Sequence, residues 1–153
     1  MGDHFTIRRA KIEDAPVIAD FNRAMAWETE QKQLEPGTIL AGVQQLITNP
    51  QYGFYIVSEV NEQPVACLLI TYEWSDWRNG LFWWIQSVYV KPEFRQRGIY
   101  KQMYTYIKNL AHTDRRVCGL RLYVADTNQQ AQMAYRRLGM DATHYRIFEE
   151  IFG

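Results

Sequence analysis

The chain has 153 residues, the size of one domain with a core of its own, and the span 1–153 is expected to fold as a single domain. Its 17 basic and 17 acidic residues cancel, so no global field draws it to nucleic acid or to an anionic membrane, and a small or weakly charged partner is the expectation. With 47% apolar and 14% aromatic residues, five of them tryptophan, the chain has an aromatic surplus that suits a lined pocket or an interface as well as a core.

Taken in order, Phe5-Thr6-Ile7-Arg8-Arg9 alternates as an opening strand. Asp14-Ala15-Pro16 starts a helix, with Asp14 as its cap and proline at a tolerated early position; Val17, Ile18, Phe21 and Met25 form its apolar face. The segment Trp27-Glu28-Thr29-Glu30-Gln31 follows, and a second helix runs from Glu35-Pro36-Gly37 to Thr48 with Ile39, Val43, Leu46 and Ile47 inward, until Asn49-Pro50 stops it. Residues 53–60 and Val65 to Tyr72 are two strands joined by the turn Asn61-Glu62-Gln63-Pro64. A polar and aromatic connection, residues 73–80, leads to the strand of residues 81–90, which Lys91-Pro92 ends because proline cannot donate to a ladder.

From about Gly98 the period changes from two to three and four. Ile99, Met103, Tyr106, Ile107 and Leu110 mark the core-facing stripe of a helix. Arg115 to Val124 reads as another strand, Asp126-Thr127-Asn128 caps a helix ending at Leu138-Gly139, and Thr143 to Phe152 completes the sheet. The order β-α-α-β-β-β-α-β-α-β mixes hairpins with crossovers, so the fold class is α/β with a mixed sheet and helices on its faces. Cys67 and Cys118 sit in apolar strands without CxxC spacing and are expected as reduced core thiols; His4, His112 and His144 lack metal-ligand spacing. With no basic-then-apolar leader and no apolar run near eighteen residues, the expectation is a soluble, cytoplasmic protein.

The chemistry concentrates between Val88 and Tyr100. A strand, Val88-Tyr89-Val90, gives way to the basic turn Arg95-Gln96-Arg97-Gly98 and then to a helix opening at Ile99-Tyr100. Glycine lets backbone approach a ligand closely, and a helix start presents unpaired N–H groups and the positive end of its dipole. That combination is an anion site, most naturally for a phosphate, and by itself it leaves the ligand open.

The same run resembles the acetyl-coenzyme A signature of the GNAT superfamily of N-acetyltransferases, a strand followed by Q/R-x-x-G-x-G/A, with Arg95 and Gly98 in register and Tyr100 where glycine or alanine is usual. Residues 128–140, from Asn128 to Met140, resemble the second GNAT motif, N-x-x-A-x-x-x-Y-x-x-x-G-F, with Asn128, Ala131, Tyr135 and Gly139 in register and Met140 in place of the aromatic. The resemblance implies the GNAT fold, with the strands carrying Val88–Val90 and Leu120–Val124 parallel and splayed to admit acetyl-coenzyme A. It implies pantetheine pairing along Val88, Tyr89 and Val90, pyrophosphate held at Arg95, Gln96, Arg97, Gly98, Ile99 and Tyr100, Asn128 on the pantetheine arm, and Tyr135 as acid to the leaving thiolate. Taken singly, Asn128 is a helix cap, Tyr135 a packed aromatic and Gly139 a helix end; the shared register is what raises them to a site.

An amine must be neutral to attack a thioester, so a carboxylate is expected to take its proton. The strand of residues 81–90 offers Trp84, Gln86 and Ser87 inward and no carboxylate. The candidates are Glu28 and Glu30 in the segment from which the family builds its acceptor site, and Glu73 ahead of Asp76 in the connection; each also reads as a solvated loop charge. Trp27, Trp74, Trp77 and Trp84 could wall an acceptor pocket. The resulting expectation is an acetyl-coenzyme A-dependent N-acetyltransferase acting on a small-molecule or amino-acid-like amine by direct attack in a ternary complex. Its alternatives are transfer to oxygen or of a longer acyl chain, a non-catalytic acyl-coenzyme A sensor, and an unrelated phosphate-binding module. The aromatic run Tyr145-Arg146-Ile147-Phe148 offers an edge for pairing with a second copy as a homodimer.

Overall fold

Alternation and helical period place most elements where they form. The computed structural model describes residues 4–153, and its contacts divide into a larger unit ending at Leu122 and a smaller one, Tyr123–Gly153. The larger unit contains β1 (Thr6–Arg9), α1 (Ala15–Glu30), α2 (Pro36–Thr48), β2 (Gly53–Val60), β3 (Gln63–Ser75), β4 (Gly80–Val90), α3 (Ile99–His112) and β5 (Val117–Arg121). The smaller unit contains α4 (Gln129–Arg137). The strands form one sheet in the order β1-β2-β3-β4-β5, antiparallel except for the parallel pair β4–β5, which is the mixed α/β architecture the element order implies.

Period two sorts the sheet residues onto two buried faces. Tyr55, Val57, Cys67, Leu69 and Tyr89 pack with Ala15, Ile18, Phe21 and Val43 of α1 and α2. Burial pushes the Tyr55 phenol and the Cys67 thiol each up to about 12. The alternate residues Ile56, Leu68, Ile70 and Ile85 point the other way, and α3 contributes the buried Ile99, Met103 and Ile107. No helix among the described residues is long and apolar enough to cross a membrane.

Seven expectations need correction. Asp14 occupies the N-cap position of α1 but makes no capping bond; its carboxylate takes two bonds from Arg8, at 2.7 and 2.9 Å, and one from the Lys11 amide at 2.7 Å, because a nearby guanidinium is a stronger donor than a helix amide. The segment 27–30 is not a connection but the last turn of α1, which no glycine or proline interrupts before Gln31 closes it in the left-handed region at φ 52°. The turn after β2 is only Asn61-Glu62, both left-handed at φ 51° and 63°, so Gln63 and Pro64 already belong to β3, with a bulge opposite. β3 continues through Glu73 to Ser75, since Glu73 and Trp74 pair with Phe82 and Leu81. β5 is shorter than expected, ending at Arg121 where its pairing with β4 ends, and Cys118 on it is exposed rather than in the core. Finally, Thr143 to Phe152 forms no strand. A strand persists only as part of a ladder, this segment joins none, and Tyr145, Phe148, Ile151 and Phe152 are exposed.

Candidate active site

The turn between β4 and α3 is built from backbone conformations that few residues adopt. After Pro92–Phe94 forms one 3-10 turn, Gln96 and Gly98 both lie in the left-handed region, at φ 64° and 80°. A Cβ at position 98 would meet nothing within 4 Å, so it is the dihedral angle and an open approach, not crowding, that call for glycine there. The first intrahelical bond of α3 runs from the Gln102 amide to the Gly98 carbonyl at 3.0 Å, and no side chain caps the helix. The Ile99 and Lys101 amides, which precede that bond, have no intrahelical acceptor.

Arg95 is held on both sides of this turn. Its Nε donates to the Val90 carbonyl at 2.8 Å, and its Nη2 donates to Glu28 Oε2, on the last turn of α1, at 2.7 Å. The guanidinium also stands 5.4 Å from the Tyr89 ring centre, and the Tyr89 hydroxyl donates to Glu28 Oε1 at 3.3 Å. Burial, and secondarily the Glu28 charge, raise the Tyr89 phenol above its ordinary range. Glu28 thus ties α1 to the turn, a contact between residues 67 apart that sequence spacing does not announce. Arg97 stacks its guanidinium 5.3 Å from the Phe94 ring.

β4 leaves the sheet on one side before it reaches that turn. Its ladder with β5 has rungs at Leu81, Phe82, Trp83 and Trp84, the last opposite Arg121, while β4 itself continues to Val90. From Ile85 onward its edge toward β5 carries no ladder. On its other edge, toward β3, the same stretch carries a bulge: Leu69 pairs with Gln86 and Cys67 with Tyr89, and the intervening Ser87 is left-handed at φ 49°. Val88, Tyr89 and Val90 lie on this freed stretch, whose side toward β5 has no ladder partner, the condition for pairing with an extended ligand.

At the last rung stand three polar side chains. Arg121 Nη1 and Trp84 Nε1 both donate to Glu73 Oε1, at 2.7 and 3.0 Å. The Arg121 guanidinium lies 3.6 Å from the Phe82 ring centre, and Gln86 donates to Thr71 Oγ1 at 2.6 Å on the same face. Of the sequence candidates, Glu73 is therefore at the point where the parallel strands part, and Glu28 is engaged with Arg95. Glu30 is exposed at the end of α1, and Asp76 lies in the tight turn after β3, where it accepts from the Trp77 amide at 2.9 Å. Sequence reasoning missed Arg121, although a lone charge inside the apolar run Val117 to Val124 was a usable signal. Trp27, Trp74 and Trp77 are exposed, at 54, 58 and 87%.

In the smaller unit, Asn128 caps α4 by accepting the Ala131 amide at 3.1 Å. Tyr135 is half-buried in the following turns, and Gly139 ends the helix at φ 100°.

A mixed sheet whose terminal parallel pair, β4–β5, parts ahead of a left-handed turn and a helix start defines the acyltransferase fold class. A model of the Acetyltransferase (GNAT) family matches residues 15–140. Among solved structures, a possible acetyltransferase from Clostridium difficile 630 is 42% identical, with 97% of this chain and 99% of that chain covered and a TM-score of 0.91. A predicted acetyltransferase with acetyl-CoA from Clostridium acetobutylicum matches over 96% of each chain with a TM-score of 0.78 at 17% identity. AAC(6')-Iy in complex with a CoA-based bisubstrate analogue matches over 99% of this chain and 100% of that one, with a TM-score of 0.76 at 15% identity. At these last two identities the likeness is one of fold alone. No curated protein matches the chain. By the extent of the family match, this chain belongs to the GNAT acetyltransferase family.

Proposed function

We propose that this chain is an N-acetyltransferase that moves the acetyl group of acetyl-coenzyme A to the amine of a small molecule by direct attack. The observation that carries the reading is the continuous path from the freed edge of β4, through the left-handed turn at Gln96 and Gly98, to the uncapped start of α3. An extended pantetheine fits a strand edge, and a pyrophosphate fits open helix-start amides, so the residues present suit the cosubstrate. Val88, Tyr89 and Val90 would pair with the arm, and the backbone of Arg95 to Tyr100 would hold the phosphates.

Acetyl-coenzyme A supplies an activated thioester: a C–N bond forms to the acetyl carbon as the C–S bond breaks, the electron pair leaves on sulfur, and an ammonium acceptor ends as amide, thiol and one released proton. Glu73 is the proposed proton acceptor, since it is the candidate carboxylate at the parting of β4 and β5 and its Oε2 accepts no hydrogen bond among the described residues. Glu28 acts instead by fixing Arg95, and Glu30 remains a candidate for drawing in a cation. From the motif register, Tyr135 is proposed to give the thiolate its proton and Asn128 to contact the arm.

Calorimetric titration of acetyl-coenzyme A into the parent, Gly98→Ala and Gly98→Glu tests the reading. Alanine introduces only the dihedral strain, whereas glutamate also places an anion at the phosphate position. Tight binding to the parent, weaker binding to alanine and none to a folded Gly98→Glu is the expected series. A folded parent that binds nothing would sink both the transferase and a sensor on the same fold. The sensor reading draws on the absence of any carboxylate among the inward residues of β4, Trp84 and Gln86; binding without turnover of any amine would select it.

A further inference from the structure

Resting on the transferase reading above, we propose that Glu73 and Arg121 form the acceptor-recognition pair, and that they select an amine bearing a carboxylate on the neighbouring carbon, the α-amino acid class. Both side chains stand at the last rung between β4 and β5, Trp84 opposite Arg121, and Glu73 reaches them from β3. Gln86 lies two residues further along β4, about 7 Å at the usual rise of a strand, where the edge of β4 is already free. A small molecule held by the pair thus has its reactive nitrogen close to the stretch that would carry the thioester.

The hydrogen bonding is uneven in a way that suits a zwitterion. Both donors converge on Glu73 Oε1, so Oε2 accepts nothing among the described residues. Arg121 spends only Nη1, so its Nε and Nη2 donate to no described residue. Those two groups form the planar fork that matches a carboxylate with two parallel bonds. Arg121 is also fixed before any ligand arrives. Its guanidinium rests 3.6 Å from the Phe82 ring centre, and that ring fits because residue 119 is glycine: a Cβ there would come within 2.7 Å of it. Preorganisation of this kind lowers the ordering cost of binding.

Charge gives the class. The pair is electrically neutral, with side chains 43 and 30% exposed for Glu73 and Arg121, reachable yet partly desolvated. A simple cationic amine would gain Glu73 but lie against Arg121. A polyamine would need further carboxylates beside the pair, whereas Glu28 is already engaged by Arg95 at 2.7 Å and Glu30 stands exposed at the end of α1. An α-amino acid satisfies both members, its ammonium at Oε2 and its carboxylate at the fork.

The test uses a panel of α-amino acids and the matching primary amines that lack the carboxylate, with two readouts. One is kcat/KM with acetyl-coenzyme A; the other is calorimetric binding to the full chain saturated with coenzyme A. The parent is expected to favour the amino acids at least tenfold in both. In Arg121→Gln the amino acids should lose about tenfold more than the amines, chiefly in KM, and Arg121→Lys, which keeps charge without the fork, should fall between. Melting curves exclude unfolding, and Arg121→Lys serves if glutamine does not fold. Turnover of amines with no carboxylate preference overturns the pair and leaves the transferase standing. Carboxylate-dependent binding without turnover upholds the pair and overturns the transferase. A parent that binds coenzyme A but neither binds nor acetylates any amino acid overturns the pair outright.

Discussion

Glu28 is the residue whose removal separates a structural contact from a functional one. Its partner Arg95 lies 2.7 Å away, with the two side chains 38 and 43% exposed. Water screens a pair that open, so Glu28→Ala should cost less than about 1 kcal/mol of folding stability, and at this chain length the melting temperature should fall by no more than about 2–4 °C. Binding of acetyl-coenzyme A should suffer more. Without Glu28, Arg95 keeps its bond to the Val90 carbonyl but loses its tie to α1, and the turn of residues 95–98 must be ordered when the ligand arrives. Ordering about one residue costs about 1 kcal/mol, or roughly a fivefold rise in Kd. Glu28→Gln keeps an acceptor for Arg95 and can replace the bond it accepted from the Tyr89 hydroxyl by donating its amide N–H to that oxygen, and should recover most of the affinity. Calorimetry on the three proteins, with melting curves alongside, decides the matter. Unchanged affinity in Glu28→Ala would refute the idea that α1 braces the turn; a melting temperature lowered by more than about 10 °C would show that the contact is chiefly structural.

Three other outcomes follow from particular contacts. Arg8 holds the Asp14 carboxyl below its ordinary range, and the Asp14 side chain is only 10% exposed, so Asp14→Asn should cost about 2 kcal/mol near neutral pH in a denaturant titration. A lowered folded pKa means that the contribution is present above the unfolded value of 3.8 and is lost as pH falls through the lower folded one, so parent and variant should converge below that range and differ fully above it. Met103 is 0% exposed, and Met103→Ala should remove about 3 kcal/mol and lower the melting temperature by roughly 10 °C, measured by calorimetric scanning. Cys118 is exposed, whereas the thiol of Cys67 is buried and pushed up to about 12; mass spectrometry should count one alkylated thiol in the native protein at pH 8 and two after denaturation.

Much of this protein was legible from its sequence because the signals are local. The period change at Gly98, the helix start at Glu35-Pro36-Gly37, the cap Asn128 that accepts its own helix amide at 3.1 Å, and the helix end at Gly139 are decided within a few residues. The alternation of β2 to β4 likewise fixed which residues enter the two faces of the sheet. The two motifs were readable for the same reason, since a turn and a helix start depend on neighbours in the chain.

Tertiary structure decided where strands stop and which charges meet. Glu73 read as a loop carboxylate because a polar, aromatic stretch resembles a connection, yet pairing with Phe82 holds it in β3. Arg121 gained its place only from the end of the β4–β5 ladder, and Glu28 met Arg95 across 67 residues. The run Thr143 to Phe152 has the alternation of a strand without a ladder to join. Hydrogen bonds between strands and ion pairs between distant elements depend on positions that no short window contains, so the sequence by itself determined the elements and the turn, and the three-dimensional fold determined the site's charges.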